Sequence, residues 1–444
     1  MLARAIWDYG AALRTGRYTP RELSDLQDRK ARALVRYAFD SIAFYHDRIR
    51  SIGKVPSDFQ KLSDLRSIPV LTRGEAHENA QRLVNPDVKV GYVRQTSGTT
   101  GRPLVVPWAT TYCDLMMAVR TRRLKAIGAR WLDKAASVFY YGADMSTPGA
   151  GNPRPRHQLS RIYKFVFGYP DVWIPLPRHR KIGAGLGNMK EVASLLLEMR
   201  PDILSARPSY ARRLGKMLKD DGTELSLRQL YIGSEFTSKA TRDELRSAFH
   251  AELFEAYGSQ ELGMMGYECA NHQGIHIASD FYAFEVLRGG EPVSAEGEQG
   301  EVVFTAFDNP AMPLIRYTLG DVVILGESGR CACGSYLPRI SSIEGRSRDG
   351  LVTASGLRLP PAGVVSYFET DLGLRDYQVV QKTGGRLLIR LKEADLSCGK
   401  TTDAIIDYAR RLLGEEHLAV QFESWKEDDI PAKYRPVVCE AGST

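Results

Sequence analysis

Between residues 185 and 256 the chain alternates helical and extended patterns with short links, and few folds accommodate that order. Apolar residues fall at helical spacing over 190–199, 209–218 and 237–250, and short apolar runs stand at 203–205, 230–232 and 253–256. Strands separated by single helices of this length pair in parallel, with the helices covering the sheet. Each run is followed by a small or polar cluster: Ala206-Arg207-Pro208-Ser209, Gly233-Ser234-Glu235 and Tyr257-Gly258-Ser259. Parallel strands bring such clusters to one edge of the sheet, where open α/β sheets bind their ligands.

The flanks fill in the rest of the fold. Residues 20–50 read as one helix opened by Pro20, Arg21 and Glu22, and 110–127 as another with a buried Leu/Met/Ala face. A buried strand is expected at 137–141 and a Pro- and Gly-rich loop at 145–160. From 266 to 345 the pattern changes to antiparallel strands at 281–287, 300–307 and 321–325. A separate unit begins near 346, with a hairpin over 376–391 turning at Thr383-Gly384-Gly385, a helix over 402–413 and a strand over 419–422. At 444 residues the chain exceeds one typical core. The expectation is an α/β fold. A large N-terminal domain, 1–345, would hold helix-covered, mostly parallel sheets and a small antiparallel β subdomain, and a small mobile α+β domain would follow over 346–444.

The formal net charge is +7, with acids and bases mixed along the chain and basic stretches at 120–130 and 178–181. No nucleic-acid-binding motif accompanies them, so they read as a solvated helix face or a patch for an anionic nucleotide. No run approaches ~18 consecutive apolar residues, so no membrane span is expected. The early Asp8 and the lack of a long apolar core argue against a signal peptide, which makes the cytoplasm the expected compartment. The six cysteines (113, 269, 331, 333, 398 and 439) are then expected as thiols rather than a disulfide framework.

The stretch from Tyr92 to Pro107 places Ser97-Gly98-Thr99-Thr100-Gly101 between two β-branched flanks, and so reads as a loop joining two strands. Glycines permit close backbone approach and Ser and Thr add short donors, a combination suited to phosphate oxygens. No Gly-Lys-Ser/Thr follows and no helix opens there, which separates it from the nucleotide P-loop.

Three further stretches stand in order with this loop: EAYGSQE at 255–261, PLIRYTLGD at 313–321 and GRSRD at 345–349. Together they resemble the motifs of the adenylate-forming enzymes, which include acyl-CoA and aryl-CoA ligases, peptide-synthetase adenylation domains and luciferases. The short length, the AMPLIRY wording and the CACGSYLPRI stretch make the phenylacetate-CoA ligase branch the most similar, over roughly residue 20 to the C-terminus. The resemblance implies activation of a small-molecule carboxylic acid with ATP and Mg²⁺ through an acyl-adenylate, with release of AMP and transfer to CoA. An amine, a hydroxyl or a carrier-protein thiol is the alternative acceptor. A catalytically silent nucleotide-binding accessory protein is the reading from another class. A homodimer is a candidate assembly.

By the same resemblance Glu261, read as following the Tyr257-Gly258 turn in a strand-to-helix setting, holds Mg²⁺ against the phosphates. Gln260 stands where relatives carry Thr. Ser97, Gly98, Thr99, Thr100, Gly101, Ser234, Glu235, Ala256, Tyr257, Gly258, Ser259, Gln260 and Asp321 are the candidate nucleotide residues. Of these, Tyr257 would stack on adenine unless it is core, and Asp321, at a strand start, would accept the ribose hydroxyls. Tyr141, Ser209 and Gly233 are the acyl-pocket candidates, with Ser234, Glu235 and Ala256 beside them, and an aryl or arylacetic acid is favoured. Arg346 lies by the phosphate or ribose, while Arg316 either faces the nucleotide or anchors a strand pair. Arg348 takes the hinge position, Ser355 and Gly356 stand near the pantetheine tunnel, and Lys433 in IPAKYR reaches the α-phosphate.

Away from these, Cys331-Ala332-Cys333-Gly334 places two thiolates on a tight turn, and CANHQGIH supplies Cys269 with His272 or His276. A Cys₃His set suits tetrahedral Zn²⁺. By the same resemblance, some members of the branch carry a structural zinc here, and the Gly-x-His ending favours His276.

Overall fold

A computed structural model describes residues 18–96, 103–130, 132–140, 178–184, 189–414, 418–425 and 434–440. The chain enters through α1 (Pro20–Ser41), which Thr19 closes with a capping box: Glu22 N–H donates to Thr19 Oγ1 at 3.3 Å and Thr19 N–H to Glu22 Oε2 at 2.8 Å. The single helix expected over 20–50 is two. Buried Ile42 takes an extended backbone, φ −125° and ψ 107°, and α2 (Ala43–Ser51) starts on a new axis. That bend lets Phe44, Tyr45 and Ile49 enter the same core as Leu34, Val35 and Ala38. A short α3 (Arg73–Glu78) follows, capped by Thr72, and then a two-stranded antiparallel ribbon, β1 (Val90–Gln95) and β2 (Val105–Ala109). These are the two strands expected around the Ser/Thr/Gly loop, whose centre, Ser97 to Gly101, lies outside the described residues.

Next come α4 (Thr110–Ala126), β3 (Lys134–Tyr140), β4 (Arg178–Ala184), α5 (Met189–Met199), β5 (Ile203–Ala206), α6 (Pro208–Asp220), β6 (Gln229–Gly233), α7 (Lys239–Phe249) and β7 (Glu252–Ser259). The strands β4, β3, β5, β6 and β7 lie in that order and all pair in parallel. The alternation seen in the sequence is therefore the observed topology. The remaining strands are β8 (Gly263–Glu268), β9 (Ile275–Ile277), β10 (Tyr282–Arg288), β11 (Glu291–Val293), β12 (Gln299–Ala306), β13 (Tyr317–Leu325) and β14 (Arg339–Arg346), paired antiparallel. They do not form a detached β unit. The β7–β8 and β8–β9 pairs splice them onto the parallel strands in one 12-stranded sheet.

Beyond β14 stand the small hairpin β15 (Leu351–Val352) and β16 (Arg358–Leu359), α8 (Pro361–Ser366), β17 (Tyr377–Gln381), β18 (Leu387–Leu391), α9 (Glu393–Leu396), α10 (Gly399–Leu413), β19 (Val420–Ser424) and β20 (Val437–Cys439). The sheet order is β19-β18-β17-β20, with the expected antiparallel hairpin at its centre and parallel strands on both sides. Its core joins Phe368, Tyr377, Ile389, Ile405 and Leu413 and is separate from the clusters under the large sheet. Among the described residues no helix is long and apolar enough to cross a membrane.

One ion pair ties α4 to the segment before β10. Arg122 Nη1 and Nη2 reach Asp280 Oδ2 and Oδ1 at 3.0 and 3.1 Å, with the two side chains only 4% and 2% exposed. Removing one member takes the closest counter-charge from a buried ion. Asp280→Ala should therefore cost about 3–5 kcal/mol in chemical denaturation, and adding Arg122→Met should restore most of it. Equal stability of the single variant and the unsubstituted protein would contradict this.

Candidate active site

The C-terminal ends of β5, β6 and β7 converge as the sequence implied. Gly233 pairs with Ala256, and a Cβ on Gly233 would sit 2.8 Å from the Ala256 carbonyl oxygen, so only glycine fits that approach. Ser234 follows in a left-handed conformation, φ 73°, which turns the chain out of the sheet. The backbone N–H of Ser209 donates to Glu235 Oε2 at 3.0 Å, joining the first two clusters.

The ends of β6 and β7 open onto a cleft that is partly continuous with solvent. Ser234, Glu235, Ala256, Tyr257, Gly258, Asp321 and Arg346 all line it, together with Asp349, Arg435 and other residues from beyond β14. Ser209 and Gly233 stand directly behind the lining, through Glu235 and Ala256. Tyr141 and Lys433 lie outside the described residues.

Asp321 is the best-supported polar group in the cleft. It lies within β13 rather than at its start, opposite Arg346 on β14. Tyr257 Oη donates to its Oδ2 at 2.8 Å, and Arg346 Nε stands 3.4 Å from its Oδ1. Burial, and then the Asp321 charge, push the Tyr257 hydroxyl well above its usual range, which keeps it a donor. Tyr257 is thus both core and cleft wall, its ring 5.8 Å from that of Phe304. Gly345 beside Arg346 has φ +99°, and a Cβ there would lie 2.9 Å from Pro361.

Glu261 departs from its expected setting. No helix follows Gly258; β7 runs through Ser259 and reverses at once into β8, so Glu261 sits in a tight hairpin turn. The turn is held by Leu262 N–H donating to Ser259 Oγ at 3.0 Å and by Trp108 Nε1 donating to the Glu261 carbonyl at 3.2 Å. The carboxylate is buried and receives Tyr317 Oη on Oε1 at 3.2 Å. Gln260 accepts from Arg94 Nη1 at 3.1 Å. Burial pushes the Glu255 carboxyl on the cleft wall up to about 7, against the pull of Arg242, which donates to it at 2.6 Å.

Arg316 resolves to the structural alternative. Its Nε meets Glu285 Oε1 at 2.9 Å, and Nη1 donates to the carbonyls of Arg66 and Ile68 at 2.8 and 2.6 Å. At the expected hinge, Arg348 Nε stands 3.6 Å from Asp349 Oδ1, and Asp349 also takes both ends of the Arg435 guanidinium. Ser355 and Gly356 sit at the exposed tip of the β15–β16 hairpin.

Arg73 was not singled out from the sequence. At the first position of α3, it donates through Nη2 to Thr96 Oγ1 at 2.7 Å, immediately before the Ser/Thr/Gly loop. Its charge is close enough to act on Tyr317, the partner of Glu261. Nothing in its local pattern marks it, because the contact spans a fold rather than a motif.

The cysteine cluster assembles away from the cleft. Ligand atoms of Cys269, His276, Cys331 and Cys333 all lie within 4.8 Å of one another. Cys269 Sγ is 3.8 Å from Cys331 Sγ, and Cys333 Sγ is 3.6 Å from His276 Nε2. A tetrahedron with arms of about 2.3 Å has edges of roughly 3.8 Å, so the donor set fits Zn²⁺. His276 Nδ1 lies 3.3 Å from the Leu337 carbonyl, which leaves Nε2 toward the thiols. Burial, with Arg339 adding to it, lowers His276 to about 4, the neutral form a metal needs. His272 turns away to Glu252, 3.1 Å distant, and stacks on Phe254.

No family model matches the chain. A phenylacetate-coenzyme A ligase of Thermus thermophilus is 29% identical over 409 residues, covering 89% of this chain and 86% of that protein. Its namesake from Escherichia coli K12 is 28% identical over 343 residues, covering 74% and 72%. Among solved structures, a 2-hydroxyisobutyryl-CoA ligase in its postadenylation state superposes with a TM-score of 0.75 at 18% identity, covering 96% of this chain and 91% of that one. The same ligase in its thioesterification state gives 0.63 at 20% identity, with 96% and 91% covered. In sequence the chain is similar to phenylacetate-coenzyme A ligases over most of its length, and it shares the fold of a 2-hydroxyisobutyryl-CoA ligase.

Proposed function

We propose that the chain is an AMP-forming acid-CoA ligase acting on an aryl or arylacetic acid. The observation that carries this is the cleft in which Asp321, oriented by Tyr257 and Arg346, faces the Ser234–Glu235 link and the edge of the parallel sheet. An ionised Asp is a pure acceptor and suits the two hydroxyls of a ribose. In the first half-reaction a carboxylate oxygen of the acid attacks the α-phosphorus of ATP and pyrophosphate leaves. In the second, the CoA thiol attacks the acyl carbonyl, loses its proton and expels AMP.

The chain's residues supply position and charge. Arg346 and Arg73 offset phosphate charge from two sides, Lys433 is assigned to the α-phosphate, and Ser97 to Gly101 to the outer phosphates. Glu261 is the group for Mg²⁺, which when bound offsets the charge of the leaving pyrophosphate. The units over 1–345 and 346–444 act as the two domains, meeting at Arg346 to Asp349. The relatives' printed names support CoA as the acceptor and phenylacetate as the acid class.

The test is a reaction with ATP, Mg²⁺, CoA and a panel of aryl and arylacetic acids, with products separated by chromatography. The expected products are AMP and an acyl-CoA in equal amounts with one acid of the panel. AMP without any thioester would transfer the proposal to another acceptor.

The Cys₃His set is assigned a structural Zn²⁺, with all four ligand positions filled and no part in the chemistry. Protein purified without chelator should carry about one zinc per chain. Cys331→Ser should lose it and lower the thermal midpoint by several degrees. Metal analysis returning no zinc would remove this assignment.

A further inference from the structure

We propose that Glu369 is a latch: the unit beyond β14 uses it to dock on the N-terminus of α7 and so to set the cleft. Glu369 lies in a π turn, Tyr367–Asp371, between α8 and β17, and is 4% exposed. Its Oε2 accepts hydroxyls from Ser238 and, at 3.0 Å, from Thr241; its Oε1 accepts Tyr377 Oη at 3.4 Å. Ser238 is the N-cap of α7, its Oγ accepting from Thr241 N–H at 3.0 Å. A helix N-terminus carries unpaired N–H groups and a positive dipole end, and a carboxylate is its natural partner. Here the carboxylate comes from the other side of the hinge.

Three more contacts cross at the same place. Glu244 of α7 lies 3.2 Å from Arg212 and 3.3 Å from Arg375, and Arg212 donates to the Arg375 carbonyl at 3.2 Å. Phe236 packs against the core of the smaller sheet. The link that ends at Ser238 begins at Gly233 and carries Ser234 and Glu235 into the cleft. Holding Ser238 therefore holds both cleft residues.

The contact is suited to opening. A buried carboxylate repays its desolvation only through its partners, and its cost vanishes when it returns to water. Parting the Glu369 contact thus loses little net energy, unlike the parting of an apolar core. The catalytic consequence rests on the ligase reading, in which the smaller unit turns at the hinge between half-reactions.

The test is hydrogen exchange of the full chain, each substitution being read on the opposite unit. Glu369→Gln keeps the shape and removes the charge, and should raise exchange over 237–244 by about tenfold or more while β17 and β18 stay protected. Ser238→Ala should raise exchange over 366–375 in turn. The same variants should change the ratio of adenylate to thioester formation. Increased exchange confined to the substituted unit, or spread through β17 and β18, would overturn the latch and leave Glu369 a local structural residue. An unsubstituted protein inactive with every acid, but with these exchange effects, would overturn the ligase reading and support the latch.

Discussion

Glu261→Gln is expected to slow adenylate formation by about 10²–10³-fold while leaving the fold intact, the range measured when one preorganised electrostatic group is removed. The carboxylate is buried in a turn fixed by Trp108 and Ser259, so the amide occupies the same space. Tyr317 Oη can still donate to the amide oxygen, which preserves the local hydrogen bond. What disappears is the negative charge that would hold a divalent cation against the phosphates. The deficit should therefore shrink as Mg²⁺ is raised, and thermal stability should stay near that of the unsubstituted protein. A rate within a factor of three of the unsubstituted enzyme would remove Glu261 from the metal role.

Asp321→Ala should weaken ATP binding by about a hundredfold, since two hydrogen bonds to a charged acceptor are lost at about 1.5–3 kcal/mol each, partly offset by water. The substitution also deprives Tyr257 Oη and Arg346 of a shared partner. Tyr257→Phe separates the two effects. It keeps the ring in the core and removes only the donor that orients Asp321, so its loss should be about tenfold or less. The larger deficit should appear in KM for ATP, measured with the acid saturating. A larger defect in Tyr257→Phe than in Asp321→Ala would mean that the tyrosine, not the aspartate, meets the nucleotide.

The fold was most legible where periodicity and topology coincide. Alternating patterns over 185–256 forecast the parallel strands β5, β6 and β7, and the small clusters after β6 and β7 reach one cleft, while the cluster after β5 meets it only through the Ser209–Glu235 hydrogen bond. The break at Ile42 was not legible, because the apolar spacing continues through it and only packing of Phe44 and Tyr45 demands the turn. The setting of Glu261 was misread for a related reason. A strand followed by Gly-Ser-Gln-Glu resembles a helix start, but the β7–β8 pairing across Tyr257 and Gly266 carries the chain straight back. The splice of the antiparallel strands onto the parallel sheet depends on that same hairpin. Arg73 and Glu369 escaped notice because each acts on an element distant in sequence: Arg73 on Thr96, Glu369 on Ser238. The choice between His272 and His276 needed coordinates, since both stand near Cys269 in sequence but only His276 faces the thiols.

The most direct measurement is acid-dependent exchange of labelled pyrophosphate into ATP, with Mg²⁺ present and CoA omitted. It isolates the first half-reaction, on which every assignment in the cleft depends. The account predicts exchange stimulated by an aryl or arylacetic acid and abolished by Lys433→Ala, with ATP binding retained. Absence of exchange with every such acid, in protein that binds ATP, would contradict it.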